Sequence, residues 1–280
     1  MLDELPEDWP NRAASQSITL GPIDWHVQQL GTGPDILFLH GAGSSTHSWA
    51  GVMHILQKAL RCTAMDLPGH GFTAGALNFQ LSLRGMTEEL VKLVEALEIK
   101  PDLIVGHSAG AAIGICLSER MSNPPVVAIN GAFESFEGWA GVLFPLMAKS
   151  MVAVPLVRDF FTVPLAQSAN IDRLIETTGS DLDAENMGHY RKLLWRRKHI
   201  IGTLGMMSQW NLPRDLPRGP DIKTRVHFIQ ARNDGTVDMT ATAGFRDSVP
   251  NAETTVFETG GHLIHEVQAE DIAEIIREEI

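Results

Sequence analysis

Ser108 stands at the centre of Gly106-His107-Ser108-Ala109-Gly110, a G-x-S-x-G pentad. The apolar run Leu103-Ile104-Val105 precedes it and reads as a buried strand; Ala111 to Leu117 follows and reads as a helix. Strand, sharp turn and helix form the setting in which such a serine is exposed for nucleophilic attack. A turn this tight forces Ser108 to a strained backbone angle. Glycines flank it because a Cβ there would strike the neighbouring strand and helix. A serine hydroxyl is a weak nucleophile by itself. It needs a base, a group that orients the base, and donors for the developing oxyanion.

The chain holds a candidate for each role. His262 lies in Gly260-Gly261-His262, after an apolar strand pattern at 254–257 and before the last helical pattern, and is the candidate base. The tandem glycines allow a close backbone approach. Nearby His265 reads as a supporting or helix-start residue. The candidate acid is Asp234, just after the strand pattern 226–229, with Asp238 as its rival. Either aspartate could instead cap the following helix. Serine, acid and histidine then follow one another in the chain order used by G-x-S-x-G hydrolases. The expected oxyanion donors are the backbone N–H of Ala109 and that of Ala42, with Gly41 and Gly43 as alternatives beside Ala42. Asp66-Leu67-Pro68-Gly69-His70-Gly71 reads as a structural turn. A metal held by Asp66, His70 and His107 is a competing reading that would take the side chains the turns require. No metal and no cofactor are expected.

These residues must be carried by a scaffold. Short apolar runs at 36–39, 62–65, 103–105, 126–129, 226–229 and 254–257 alternate with helical patterns at 47–59, 87–98 and 269–279. That alternation predicts an α/β fold with a mostly parallel sheet flanked by helices on both faces. Loose alternation over 17–30 predicts an antiparallel hairpin ahead of it. From Ile129 to Val226 the strand rhythm stops, and helical pieces punctuated by prolines take over. Residues 132–212 are therefore expected to be an inserted helical cap, with the core built from 1–131 and 213–280. Its apolar stretch includes Trp139, Phe144, Met147 and Met151, the candidate substrate-binding residues.

The chain has 280 residues, and its net charge of −12 argues against a nucleic-acid partner and against electrostatic attachment to an anionic membrane. No apolar run reaches the length of a membrane span. The acidic start, Met1 to Asp8, lacks the basic and apolar regions of a secretory signal. Cys62 and Cys116 fall in apolar patterns and are expected to be buried free thiols, so a cytoplasmic location is expected.

Taken together, Leu39 to Gly43, Asp66 to Gly71, the Ser108 pentad, Asp234 and Gly261-His262 resemble the α/β-hydrolase superfamily over essentially the whole chain. Serine at 108, where some relatives carry aspartate, separates it from the dehalogenase and epoxide-hydrolase branches. A narrower resemblance rests on Asp8 to Ser15, Ser45 to Trp49, His70 to Thr73, Thr178-Gly179-Ser180 and Gly205-Met206-Met207. These segments are similar to the magnesium-chelatase accessory proteins of bacteriochlorophyll biosynthesis. That resemblance implies a setting in which tetrapyrroles are made, and two roles follow from it. One is a serine hydrolase acting on a small hydrophobic ester or tetrapyrrole ester. The other is a non-catalytic accessory that binds a porphyrin or contacts magnesium-chelatase subunits. A general carboxylesterase without a pathway role is the third reading.

Overall fold

The computed structural model describes residues 2–134 and 168–280, apart from the side chains of 168–170. It has the α/β-hydrolase fold. One sheet of eight strands runs in the order β1-β2-β4-β3-β5-β6-β7-β8. β1 (Ser15–Leu20) and β2 (Ile23–Leu30) form the expected antiparallel hairpin, turned at Gly21 with a φ of 57°. β2 then pairs antiparallel with β4 (Arg61–Met65). Every later pairing is parallel, through β3 (Asp35–Leu39), β5 (Leu103–His107), β6 (Val126–Ile129), β7 (Val226–Ala231) and β8 (Ala252–Phe257).

Strand periodicity builds two cores. Ile36, Phe38, Leu103, Val105, Val127 and Ile129 turn to one face, where they meet α1 (Ala50–Leu56) and α10 (Ala269–Glu278). Leu37, Leu39, Ile104, Val126 and Ala128 turn to the other, where they meet α2 (Leu83–Ala96) and α3 (Ala109–Ser118). Side chains alternate across a strand, so a strand buried on both faces must be apolar throughout. That is why β3, β5 and β6 read as unbroken apolar runs. Cys62 and Cys116 are free and buried, and burial pushes both thiols up to about 12.

Three elements depart from their expected bounds. The helix expected at 47–59 is a 3-10 turn, Thr46–Trp49, followed by the short α1. α2 starts at Leu83 because the Ser82 hydroxyl caps it, accepting from the Gly85 N–H at 3.1 Å. α8 (Ala243–Ser248), which the sequence pattern does not announce, follows β7.

Between β6 and β7 the described residues hold helices and no strand: α4 (Ser168–Glu176), α5 (Ala184–Leu194), α6 (Arg197–Gln209) and α7 (Leu212–Asp215). This helical insertion does not rest on side chains alone. A Cβ at Gly202 in α6 would run into the Gly69 carbonyl, so helix and turn touch backbone to backbone. From the other side, Trp9 packs against Phe72 and Leu193 and ties the N-terminal segment to α5. The last helical stretches are α9 (Ile264–Val267) and α10. Among the described residues no helix is long and apolar enough to cross a membrane.

Candidate active site

The order β4-β3-β5 reverses the direction in which the sheet grows. The loops leaving β3 and β5 at their carboxyl ends therefore diverge to opposite faces and leave a crevice, the usual ligand position in such sheets. Ser108 stands at that edge, between β5 and α3, with φ 53° and ψ −116°. An L-residue at that angle is strained, and the surroundings hold it there. Its N–H donates to the Ile129 carbonyl at 2.9 Å, and its carbonyl accepts from Ala111 and Ala132, each at 3.1 Å. A Cβ at Gly106 would strike the Gly110 carbonyl, and one at Gly110 would strike the Leu39 carbonyl. Both glycines of the pentad are thus required by backbone contact.

His262 follows Gly260 and Gly261, whose φ values are 116° and 65°. Its Nδ1 is 2.8 Å from Asp234 Oδ2, and both side chains are buried. The other Asp234 oxygen accepts from the Thr236 and Val237 N–H groups at 2.7 and 2.9 Å, which fixes the carboxylate. Asp238 spends its carboxylate on the Thr240 N–H and hydroxyl at 2.7 and 2.6 Å, as a turn residue does. The His262 loop is tied to the strand that leads into Ser108 by His107, whose Nε2 donates to the His262 carbonyl at 2.8 Å. Asn130 Nδ2 donates to the same carbonyl at 3.0 Å. His265 presents a ring face to His107 and to Trp49, at 4.3 and 4.5 Å between centroids, and burial drives its imidazole down to about 3.

The loop after β3 lies against the serine. A Cβ at Gly41 would sit 3.1 Å from the Ser108 Cβ. His40 accepts from the Leu67 N–H at Nε2, 2.9 Å, so its proton is on Nδ1, which donates to the Gly41 carbonyl at 2.7 Å. The Gly41 carbonyl and the Ala42 N–H belong to one planar peptide and point opposite ways. Holding the first aims the second. Ala42 is exposed, while Ala109 is buried at the start of α3.

Asp66 is structural. It pairs with His26 at 2.8 Å and accepts from the Thr46 and Phe72 N–H groups, each at 2.7 Å. Burial by itself would raise Asp66; the charge and hydrogen bond of His26, aided by His40 and the Phe72 amide, hold its carboxyl far below the ordinary carboxylate range. His70 Nδ1 is taken by the Pro68 carbonyl and His107 Nε2 by His262, so the three residues weighed as a metal set are engaged separately. The described residues that do bring ligand atoms together are His227, Glu253 and Glu279, at the opposite, amino edge of β7 and β8. There both His227 nitrogens are occupied, by Glu279 and Thr255, and Arg225 pairs with Glu279.

The insertion supplies struts whose role the sequence pattern does not show. The Thr178 carbonyl accepts from the His262 and Gly235 N–H groups at 2.9 and 3.0 Å, bridging the loops that carry His262 and Asp234. Ser180 donates to the Gly260 carbonyl at 3.0 Å and accepts from the Leu263 N–H at 2.8 Å. Asn233 links Gly179 to Gly261. Thr178-Gly179-Ser180 therefore clips together the two loops that carry Asp234 and His262. Trp139, Phe144, Met147 and Met151 lie outside the described residues.

A model of the "Alpha/beta hydrolase family" matches residues 36–275. The chain belongs to the α/β-hydrolase family. It is similar to the magnesium-chelatase 30 kDa subunit of Rhodobacter capsulatus, 38% identical over 97% of this chain and 96% of that one. It is also similar to the pimeloyl-[acyl-carrier protein] methyl ester esterase of Nitrosomonas europaea, 26% identical over 85% of this chain and 92% of that one. Among solved structures, an esterase from Exiguobacterium antarcticum aligns with a TM-score of 0.74 at 13% identity, over 91% of this chain and 95% of that one, and shows the shared fold.

Proposed function

We propose that this chain is a serine hydrolase of ester or related acyl bonds. Ser108 Oγ attacks the acyl carbon while His262 takes its proton. Asp234 keeps the imidazole proton on Nδ1 and stabilises the imidazolium as it forms. The oxyanion is received by the N–H groups of Ala42 and Ala109, the latter at the positive end of α3. Collapse of the tetrahedral intermediate expels the alcohol, which leaves with the proton from His262. Water, activated by the same imidazole, then clears the acyl-enzyme. The observation that carries this reading is the 2.8 Å bond between His262 and Asp234, on loops that open at the edge where Ser108 stands. The segment 132–212 is the cap, and its Trp139, Phe144, Met147 and Met151 are the residues we assign to substrate.

Relatives named as methyl ester esterases and as a monoacylglycerol lipase support an ester substrate of ordinary kind. A panel of p-nitrophenyl esters of rising chain length tests this directly. Turnover that depends on Ser108 supports the reading; a chain inert toward the whole panel speaks against it.

The similarity to the magnesium-chelatase 30 kDa subunit favours a second reading, in which the chain handles a tetrapyrrole. A porphyrin methyl ester would then be cleaved or bound, or chelatase subunits contacted. Saturable binding of a porphyrin methyl ester by the Ser108→Ala protein supports this reading, and hydrolysis of simple esters without such binding favours the general carboxylesterase.

A further inference from the structure

α6 carries a buried histidine that the reaction scheme does not use. His199 Nδ1 accepts from the Gly71 N–H at 2.9 Å. The proton is therefore on Nε2, which donates to the Gly43 carbonyl at 3.2 Å. That carbonyl belongs to the same peptide as the Ser44 N–H, which donates to the Gly41 carbonyl at 3.2 Å. The Gly41 carbonyl in turn shares its peptide with the Ala42 N–H. The loop itself is soft: glycines stand on both sides of Ala42, and Gly43 has a φ of 77°. Peptide planes between glycines rotate readily, so anchors from outside the loop decide where the amides point.

We propose that His199 is a positioning residue: through its Nε2–H bond to Gly43, the helical insertion holds the loop after β3 in the orientation that aims the Ala42 N–H at the oxyanion. His40 anchors the same loop from the core, and His199 anchors it from the insertion. The insertion thereby takes part in preorganising the reaction centre. Close packing of α6 on the Asp66–Gly71 turn, backbone against backbone at Gly202 and Gly69, keeps His199 within reach of both partners. Burial drives its imidazole down to about 4, so the single-proton tautomer that this geometry needs persists through neutral pH. The inference rests on the hydrolase reading, with Ala42 as an oxyanion donor.

Two substitutions separate the two bonds of His199. The amide nitrogen of His199→Gln can stand where Nε2 does and donate to Gly43. The amide oxygen of His199→Asn can stand where Nδ1 does and accept from Gly71. His199→Ala removes both. Each protein is examined by amide hydrogen exchange over residues 40–46 and by kcat and KM for a p-nitrophenyl ester. His199→Ala and His199→Asn should exchange faster in this loop and lose about 10- to 100-fold in kcat with little change in KM. His199→Gln should stay close to the parent in both measurements. Unchanged kcat in folded His199→Asn, or a loss in His199→Gln as large as in His199→Ala, would overturn the proposal. A parent protein without esterase activity at Ser108 would instead sink the hydrolase reading. The exchange pattern would still decide whether His199 holds the loop.

Discussion

The hydroxyl of Tyr190, on the helical insertion, donates to Glu266 at 2.6 Å, four residues beyond His262. Ser44 of the loop after β3 lies 3.4 Å from the same hydroxyl. One buried contact thus links the insertion, the loop after β3 and the segment that follows His262. Burial pushes the Glu266 carboxyl up to about 8 despite the Tyr190 bond, and Asp183 adds to the rise. In the unfolded chain this group ionises near 4.5. Between those values the unfolded state binds fewer protons. The stability that Glu266 confers is whole below about 4.5 and falls as pH rises to about 8. Glu266→Gln, neutral at every pH, should therefore melt higher than the parent at pH 8.5, with the gap narrowing toward pH 5. Melting curves that run parallel across this range would contradict the assignment.

Seven buried imidazoles work in the opposite direction. His40, His47, His70, His107, His189, His199 and His265 are all lowered, chiefly by burial. They stay neutral in the fold and charge near 6.5 when it opens. Their contribution is whole above about 6.5 and is lost as pH falls from there toward each ring's lowered value. Stability from urea titrations should fall steeply below pH 6, with more than one proton taken up on unfolding. A flat profile down to pH 4 would show that these rings find water or counter-charges.

The two aspartates after β7 should separate sharply in mutagenesis. Asp234 holds His262, whereas Asp238 is taken up by the following turn, at Thr240 and the Ala241 amide. Asp234→Asn should lower kcat by about 10⁴, because the amide favours the wrong imidazole tautomer. Asp238→Asn should stay within a fewfold of the parent. Equal losses would remove the acid role from Asp234.

Two glycines on the insertion predict opposite outcomes for one substitution. Gly188 in α5 faces open space, so Gly188→Ala should stabilise by about 0.5–1 kcal/mol through helix propensity. Gly202 in α6 meets the Gly69 backbone, so Gly202→Ala should destabilise by about 1–3 kcal/mol. It should also loosen the loop that His199 anchors. Chemical denaturation of both variants checks the pair, and a neutral Gly202→Ala would show that α6 can lift off without cost.

Much of the scaffold was legible because strands buried on two faces leave a strong mark. Val126–Ile129 is bounded as the pattern predicts, and the other core strands agree within about two residues. α8 was not legible: Ala243–Ser248 buries no residue, so it carries no apolar stripe. Ser108, Asp234 and His262 could be singled out since each sits on a glycine-marked loop just past a strand. The role of the struts from the insertion could not be read, although Thr178-Gly179-Ser180 stands out as one segment of the narrower resemblance. Thr178, Ser180, Tyr190 and His199 are polar, and polar residues on helices and turns ordinarily face water. A trace existed in α6, where His199, Gly202 and Met206 share one buried stripe. A histidine on an apolar stripe signals a buried partner, but it does not say which carbonyl waits above it.

The proposed reaction turns on Ser108 as the nucleophile, activated by His262. Its most direct test is covalent labelling by a fluorophosphonate, followed by peptide mass analysis. Stoichiometric modification is expected at Ser108 in the parent protein, none in Ser108→Ala, and strongly slowed labelling in His262→Ala. Modification at another residue, or no reaction in a protein that is folded and hydrolyses esters, would contradict it.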